Sequence, residues 1–144
     1  MRAVSPAGLE LVKAFEGLRL TTYTDVGGLL TIGYGHTGPE VKAGMTITEA
    51  EAEAILKRDL ARFEADVSRL VKTEIHQNQF DALVVFAFNV GSQALASSTL
   101  LAKVNEGKAG EAVAEFGRWV KVKGTPVAGL ANRRKAEAEL FARA

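Results

Sequence analysis

Three residues near the amino end of this 144-residue chain have the types and spacing for acid–base chemistry. Glu16 stands where an apolar helical stretch meets Gly17, Asp25 sits in a turn ahead of Val26-Gly27-Gly28, and Thr31 follows in a β-rich run. Cleaving a glycosidic bond needs a proton for the leaving oxygen and a carboxylate that helps an attacking water. Two carboxylates on separate elements, joined by a glycine-rich ribbon, can face each other across a small gap, as that reaction requires. Glu16, with Phe15, Leu18 and Leu20 nearby, suits the acid. Asp25 suits the partner that polarises the water, and Thr31 offers a hydroxyl to hold it. A water gripped between Asp25 and Thr31 predicts inversion at the anomeric carbon, with carboxyls roughly 6.5–9.5 Å apart. Singly, each residue has a plain structural reading: a surface helix glutamate, a turn aspartate, a strand threonine. The joint pattern carries the chemistry.

The elements that must position these residues are mostly helical. Ser5-Pro6 is a helix start, with Leu9, Val12 and Phe15 at helical spacing and Gly17 as the stop. Thr21 to Tyr34 interleaves β-formers with Gly27-Gly28 and Gly33, which predicts a short hairpin or meander. Thr48-x-x-Glu51 is a capping box that opens a long amphipathic helix to about Val71. Gln77 to Asn89 is apolar nearly all round and reads as a buried central helix ended by Gly91. Three further helices are expected over 97–106, 110–120 and 130–142, jointed at Gly107 and across 124–129. The expected architecture is α+β and mainly helical: a single domain over 1–144 with a small β-ribbon lobe, a long connecting helix and a helical lobe. A long substrate would sit in a cleft between the lobes.

Composition narrows the chemistry. There are no cysteines, which removes disulfides, a thiolate nucleophile and cysteine-ligated metal. The two histidines, His36 and His76, form no metal-ligand cluster, and no cofactor is called for. Gly33-x-Gly35 lacks the lysine of a phosphate loop, and no serine has a G-x-S-x-G context. Net charge is +1, so the whole molecule is not a nucleic-acid binder. The charge is uneven: residues 1–102 carry 9 basic and 12 acidic groups, and residues 103–144 carry 9 and 5. A basic carboxy-terminal end suits an anionic polymer such as a cell wall, or is simply a solvated helix face. No apolar run is long enough to insert stably in a membrane, and Glu10 and Lys13 interrupt any signal-like core.

The run FEGLRLTTYTDVGGLLTIGYGHT resembles the phage-type lysozymes, the muramidase endolysins of T-even and lambdoid phages. The blocks GMTITEAEAEAILKRDL, QNQFDALVVFAFNVG, STLL, Trp119 and GLANRRKAEAELF follow in the order and spacing of that family, so the resemblance spans essentially the whole chain. It implies hydrolysis of the β-1,4 bond between N-acetylmuramic acid and N-acetylglucosamine in peptidoglycan. Glu16 would be the general acid, Asp25 the acidic partner and Thr31 the water holder. It implies that Arg133 points into the cleft near Glu16, with Arg134 a neighbouring candidate that helix phase does not exclude. Phe88 and Asn89 would contact sugar, with Thr37 and Thr99 of the same kind. His36 reads as structural, paired with a carboxylate, and Trp119 as a core anchor rather than a sugar platform.

Two rivals remain. A lytic transglycosylase cleaves the same bond with one acid and has no need of Asp25 and Thr31. A non-catalytic wall-binding module would have little reason to keep all three residues. Many relatives carry an amino-terminal signal-anchor helix, whereas this chain starts almost directly on the helix that carries Glu16. The expectation is therefore a monomer that accumulates in the host cytoplasm, depends on a holin-type membrane protein for release, and acts on the periplasmic glycan strands.

Overall fold

The computed structural model describes residues 2–143. It divides into two compact units, one over Val12–Arg62 and the other formed by the residues up to Leu11 with those from Phe63 onward.

Helix α1 (Pro6–Glu16) contributes its first part to the second unit and its end to the first, and it stops at Gly17 (φ +72°), whose N–H donates to the Lys13 carbonyl at 3.0 Å. Strand β1 (Arg19–Thr24) pairs antiparallel with β2 (Leu30–Gly33), Tyr23 opposite Thr31 and Thr24 opposite Leu30. The segment after Lys42 lies along the other edge of β1 through Thr22 N–H to Met45 O (3.0 Å) and Ile47 N–H to Leu20 O (2.8 Å). The long helix α2 (Glu49–Leu70) starts on the predicted capping box. Thr48 Oγ1 accepts from Glu51 N–H at 3.1 Å, and Glu51 Oε1 accepts from Thr48 N–H at 3.0 Å. At 1.5 Å per residue it runs about 33 Å. Ala52, Leu56, Leu60, Phe63 and Val67 form its buried stripe at spacings of three and four. Gly33 faces this stripe, where a Cβ would stand in ordinary contact with Ala52 at 3.6 Å, and its φ of +68° is what favours glycine.

The second unit is built around α3 (Gln77–Val90), in which Phe80 to Ala87 are all buried. His76 caps it and exchanges hydrogen bonds with Gln79. Helices α4 (Ser92–Ala96), α5 (Thr99–Asn105), α6 (Ala109–Glu115) and α7 (Ala128–Ala142) follow, with α7 packed most extensively on α3. Phe86 is the hub of the core. It meets Phe116 and Trp119 edge-on at 5.6 and 5.5 Å, and Phe116 in turn meets Phe141 at 5.6 Å. Edge-to-face pairs of this kind add about 1 kcal/mol each beyond the area they bury. Trp119 is half-buried and packs edge-on against this core through Phe86. Gly8 lets the start of α1 press against α3, since a Cβ there would fall 2.9 Å from Asp81 Cβ. The Ser5 hydroxyl donates to the buried Asp81 carboxylate.

Three details differ from the sequence expectation. Helix α4 occupies a stretch with no predicted element, and the helix expected over 110–120 ends at Glu115 and tightens into a 3-10 turn at Phe116–Arg118. The joint expected across 124–129 is in part a hairpin, β3 (Lys121–Val122) with β4 (Thr125–Pro126). Its central residues Lys123 and Gly124 both have positive φ, +50° and +82°, as a type I′ turn requires.

Candidate active site

The Val12–Arg62 unit gathers Glu16, Asp25 and Thr31. Asp25 lies just past β1 in the loop that joins the two strands. Its Oδ1 accepts from Gly27 N–H (2.8 Å) and Leu29 N–H (2.9 Å), an Asx-type closure of the loop. Its own N–H donates to Leu29 O at 2.9 Å. Thr31 sits two residues beyond Leu29, and its hydroxyl donates to that same Leu29 carbonyl at 3.0 Å. The backbone of Leu29 is therefore a common anchor for Asp25 and Thr31. Thr31 pairs with Tyr23 across the ribbon, and the Asp25 N–H bond to Leu29 O carries the pairing one step into the loop, two residues on from Tyr23, so alternation puts Asp25 and Thr31 on one face.

The anchoring decides what each group has left to offer. Oδ1 of Asp25 is spent on the loop, whereas Oδ2 accepts no hydrogen bond among the described residues. The Thr31 proton is spent on Leu29, so its oxygen is left as an acceptor. Thr31 is buried at 3% exposure, which holds that oxygen in one orientation. Two fixed acceptors on one face can take both hydrogens of one water and leave that water's lone pair directed outward as a nucleophile.

Glu16 is the last residue of α1 and is half-buried. Its carboxylate lies against the backbone of Gly35, where a Cβ would stand 3.7 Å from Oε2. Gly35 itself has φ +81° and closes the turn in which Ile32 and His36 exchange backbone hydrogen bonds at 2.9 Å. The Gly33-x-Gly35 pair thus shapes the ribbon end beside the acid.

His36 is held at both ring nitrogens. Nδ1 lies 2.7 Å from Asp59 Oδ2, and Nε2 pairs with Glu40. Burial works against its charge, but hydrogen bonds to Glu40 and Asp59 outweigh this and hold its pKa above the ordinary 6.5. So paired, the imidazole ties the ribbon turn to α2 and has no free nitrogen for proton transfer. This is the carboxylate-paired structural role that the sequence indicates. Lys13 pairs with Glu53 in the same unit and lies 5.8 Å from the Tyr34 ring centre. Thr37 is exposed in the loop after His36.

The remaining predicted residues lie in the helical unit. Phe88 is half-buried near the end of α3 and meets Phe63 edge-on at 5.3 Å. Asn89 follows it, its Oδ1 accepting from Arg134 Nη2 at 2.7 Å. Thr99 is the exposed first residue of α5, and Arg133 is half-buried on α7. Of the two arginines, Arg134 is committed to the core. It is 1% exposed, its guanidinium lies 5.0 Å from the Phe86 ring centre, and Nη2 donates to Glu137 Oε2 at 3.0 Å. Its Nε lies 2.7 Å from Glu137 Oε1 without the alignment of a hydrogen bond. Burial pushes Glu137 up to about 7, against the pull of Arg134. Sequence reasoning missed this pair, since charged residues on an amphipathic helix read as solvated. It also missed Leu29, whose contribution is its amide and carbonyl rather than its side chain.

The sequence model of the phage lysozyme family matches residues 13–137. The endolysin of Bacillus phage PZA is 47% identical over 140 residues, 96% of this chain and 54% of that protein. The chain thus spans about half the length of that relative and of its counterpart in Bacillus phage B103. The endolysin of Salmonella phage P22 is 40% identical over 145 residues, with 98% of this chain and 99% of that one covered. Among solved structures, a variant of P22 lysozyme superposes with a TM-score of 0.93 at 39% identity, over 99% of this chain and 100% of that one. The muramidase domain of SpmX from Asticaccaulis excentricus superposes at 0.91 and 40% identity, with both chains fully covered.

Proposed function

This chain belongs to the phage lysozyme family, and from that premise we propose that it hydrolyses the β-1,4 bond between N-acetylmuramic acid and N-acetylglucosamine in peptidoglycan. Glu16 gives its proton to the leaving glycosidic oxygen. A water donates one hydrogen to Asp25 Oδ2 and the other to Thr31 Oγ1. Its lone pair attacks the anomeric carbon from the opposite face as positive charge develops there, and Asp25 takes the released proton. The new reducing end is inverted. The observation that carries this reading is the double use of Leu29, which leaves Asp25 and Thr31 one acceptor each on the same face of the ribbon. Phe88, Asn89, Thr99, Arg133 and Thr37 are the proposed glycan contacts. The protein works as a monomer released to the wall by a holin-type membrane protein, so externally added enzyme clears only permeabilised cells.

The test is digestion of purified peptidoglycan with mass spectrometry of the products and NMR of the first anomer formed. Wild type is expected to yield reducing-end muramic acid with inverted configuration. Glu16→Gln is expected to lose on the order of 10³-fold in rate, the scale of a general acid. Anhydro-muramic products would refute the water-activating role of Asp25 and Thr31, and retained configuration would refute direct attack by water.

A further inference from the structure

The stretch 116–136 carries six basic residues and no acidic one. Three of the six are engaged: Arg118 pairs with Glu115 at 3.0 Å, Arg134 is buried on Glu137, and half-buried Arg133 is not free. Lys121, Lys123 and Lys135 are exposed and form no ion pair among the described residues. Lys121 and Lys123 stand on the β3–β4 hairpin, which is stiffened by Val127 N–H donating to Val120 O at 2.9 Å. Lys135 lies on α7, about 10 Å along the helix from the hairpin base. Between the charges the hairpin exposes Val122 (52%) and Val127 (38%).

A second feature points the same way. Lys123 is the one non-glycine residue at positive φ among those described. Asparagine or glycine would fill that turn position at lower cost, and a lysine there keeps its charge at the hairpin tip against the backbone preference. Strain of this kind concentrates at functional positions.

We propose that the β3–β4 hairpin, with Lys135 of α7, is a docking surface for the carboxylate-bearing peptides carried by the glycan strand. The inference rests on the muramidase reading above and adds a second point of recognition. Wall peptides are short, rich in alanine and end in free carboxylates. The unpaired ammonium groups of Lys121, Lys123 and Lys135 match the carboxylates, and Val122 and Val127 match the methyl groups. A stiff hairpin loses little conformational freedom on binding.

The experiment compares co-sedimentation with intact sacculi for Glu16→Gln protein, which leaves the wall uncut, with and without Lys121→Gln/Lys123→Gln/Lys135→Gln. Three exposed contacts of roughly twofold each predict about eightfold weaker binding at low salt. The gap should close as salt shortens the screening length. A control with Lys42→Gln/Lys57→Gln/Lys108→Gln makes the same change in net charge elsewhere on exposed positions and is expected to bind within about twofold of its parent. On glycan strands stripped of peptide by an amidase, the hairpin variant and its parent are expected to bind alike. Equal loss in the control, or a gap that persists on stripped strands, overturns the proposal. Release of reducing ends from intact sacculi by proteins with Glu16 intact reports separately on the muramidase reading. Its absence would sink that reading while the sacculus comparison still decides the docking surface.

Discussion

The buried Arg134–Glu137 pair offers a quantitative test of how the helical unit is held together. Both side chains are essentially inaccessible, at 1% and 0% exposure. Removing two charges from water costs several kcal/mol each, and their attraction repays this only when geometry is good and the remaining polar atoms are satisfied. Here repayment is partial. One N–H points squarely at the carboxylate, the Nε contact is misaligned, and burial pushes Glu137 up to about 7 despite the adjacent guanidinium. Among the described residues, Glu137→Leu leaves the guanidinium with neutral acceptors alone, Asn89 Oδ1 at 2.7 Å and Trp119 O at 3.5 Å. The expected cost is about 3–5 kcal/mol. Arg134→Met/Glu137→Leu removes both charges at similar volume and is expected to match wild type or exceed it by about 1–3 kcal/mol.

The assay is urea unfolding at pH 8, above the value at which Glu137 takes up its proton, so that an ion pair is compared with its apolar replacement. For a chain of this length 1 kcal/mol corresponds to about 3 °C in melting temperature, so thermal unfolding should show Glu137→Leu lower by about 10–15 °C. If the double variant were as unstable as the single one, the pair would be contributing net stability and the burial argument would be wrong. If Glu137→Leu cost less than about 1 kcal/mol, Arg134 would not be a desolvated charge at all. The contact with Asn89 adds a functional readout, since the double variant frees Oδ1 and should raise KM more than it lowers kcat if Asn89 contacts sugar.

The remaining predictions concern the ribbon. The folded-state pKa of His36 is raised above 6.5, so its stabilising contribution is fully present below that pH and is lost as pH rises through the raised value. The gap in urea midpoint between wild type and His36→Asn should therefore be widest near pH 5.5 and shrink on the alkaline side; a gap independent of pH would show that the imidazole is not charged in the fold. Leu29 serves through its backbone while its side chain is 58% exposed, so Leu29→Ala should keep peptidoglycan hydrolysis within about twofold of wild type. A hundredfold loss would mean that the side chain, and not the amide and carbonyl, organises Asp25 and Thr31.

Much of this was legible in the chain because it rests on local rules. Gly17 stops α1 at Glu16, and the Thr48–Glu51 box starts α2; both need only a few neighbouring residues to be read. Asp25 before Val-Gly-Gly announces a loop, and Thr31 announces a strand. What escaped depends on backbone geometry or on distant partners. The β3–β4 turn is centred on Lys-Gly rather than Asn-Gly, so its left-handed requirement is not written in the usual residue type. Helix α4 is five residues long, too short for periodicity to show. The choice between Arg133 and Arg134 turned on a carboxylate three residues further along α7 and on Asn89 in another helix, and no pattern within α7 reveals which arginine faces the core.

The same distinction explains how the site is divided between side chain and backbone. In the proposed mechanism a carboxylic acid supplies the proton, a carboxylate polarises the water and a hydroxyl holds it, the parts assigned to Glu16, Asp25 and Thr31. Their aim comes from atoms that every residue possesses. Leu29 donates its N–H to one oxygen of Asp25 and receives both the Asp25 N–H and the Thr31 hydroxyl on its carbonyl. A side-chain anchor at the same place would carry rotamer freedom and loosen both acceptors together. A backbone anchor inside a closed hairpin loop has almost none, so the orientation of Asp25 and Thr31 is settled by the register of β1 on β2. A one-residue slip in that register would turn Thr31 to the opposite face from Asp25. The ribbon therefore has to form correctly before the water site exists, and its pairing, more than any single contact to the carboxylates, is what the proposed chemistry depends on.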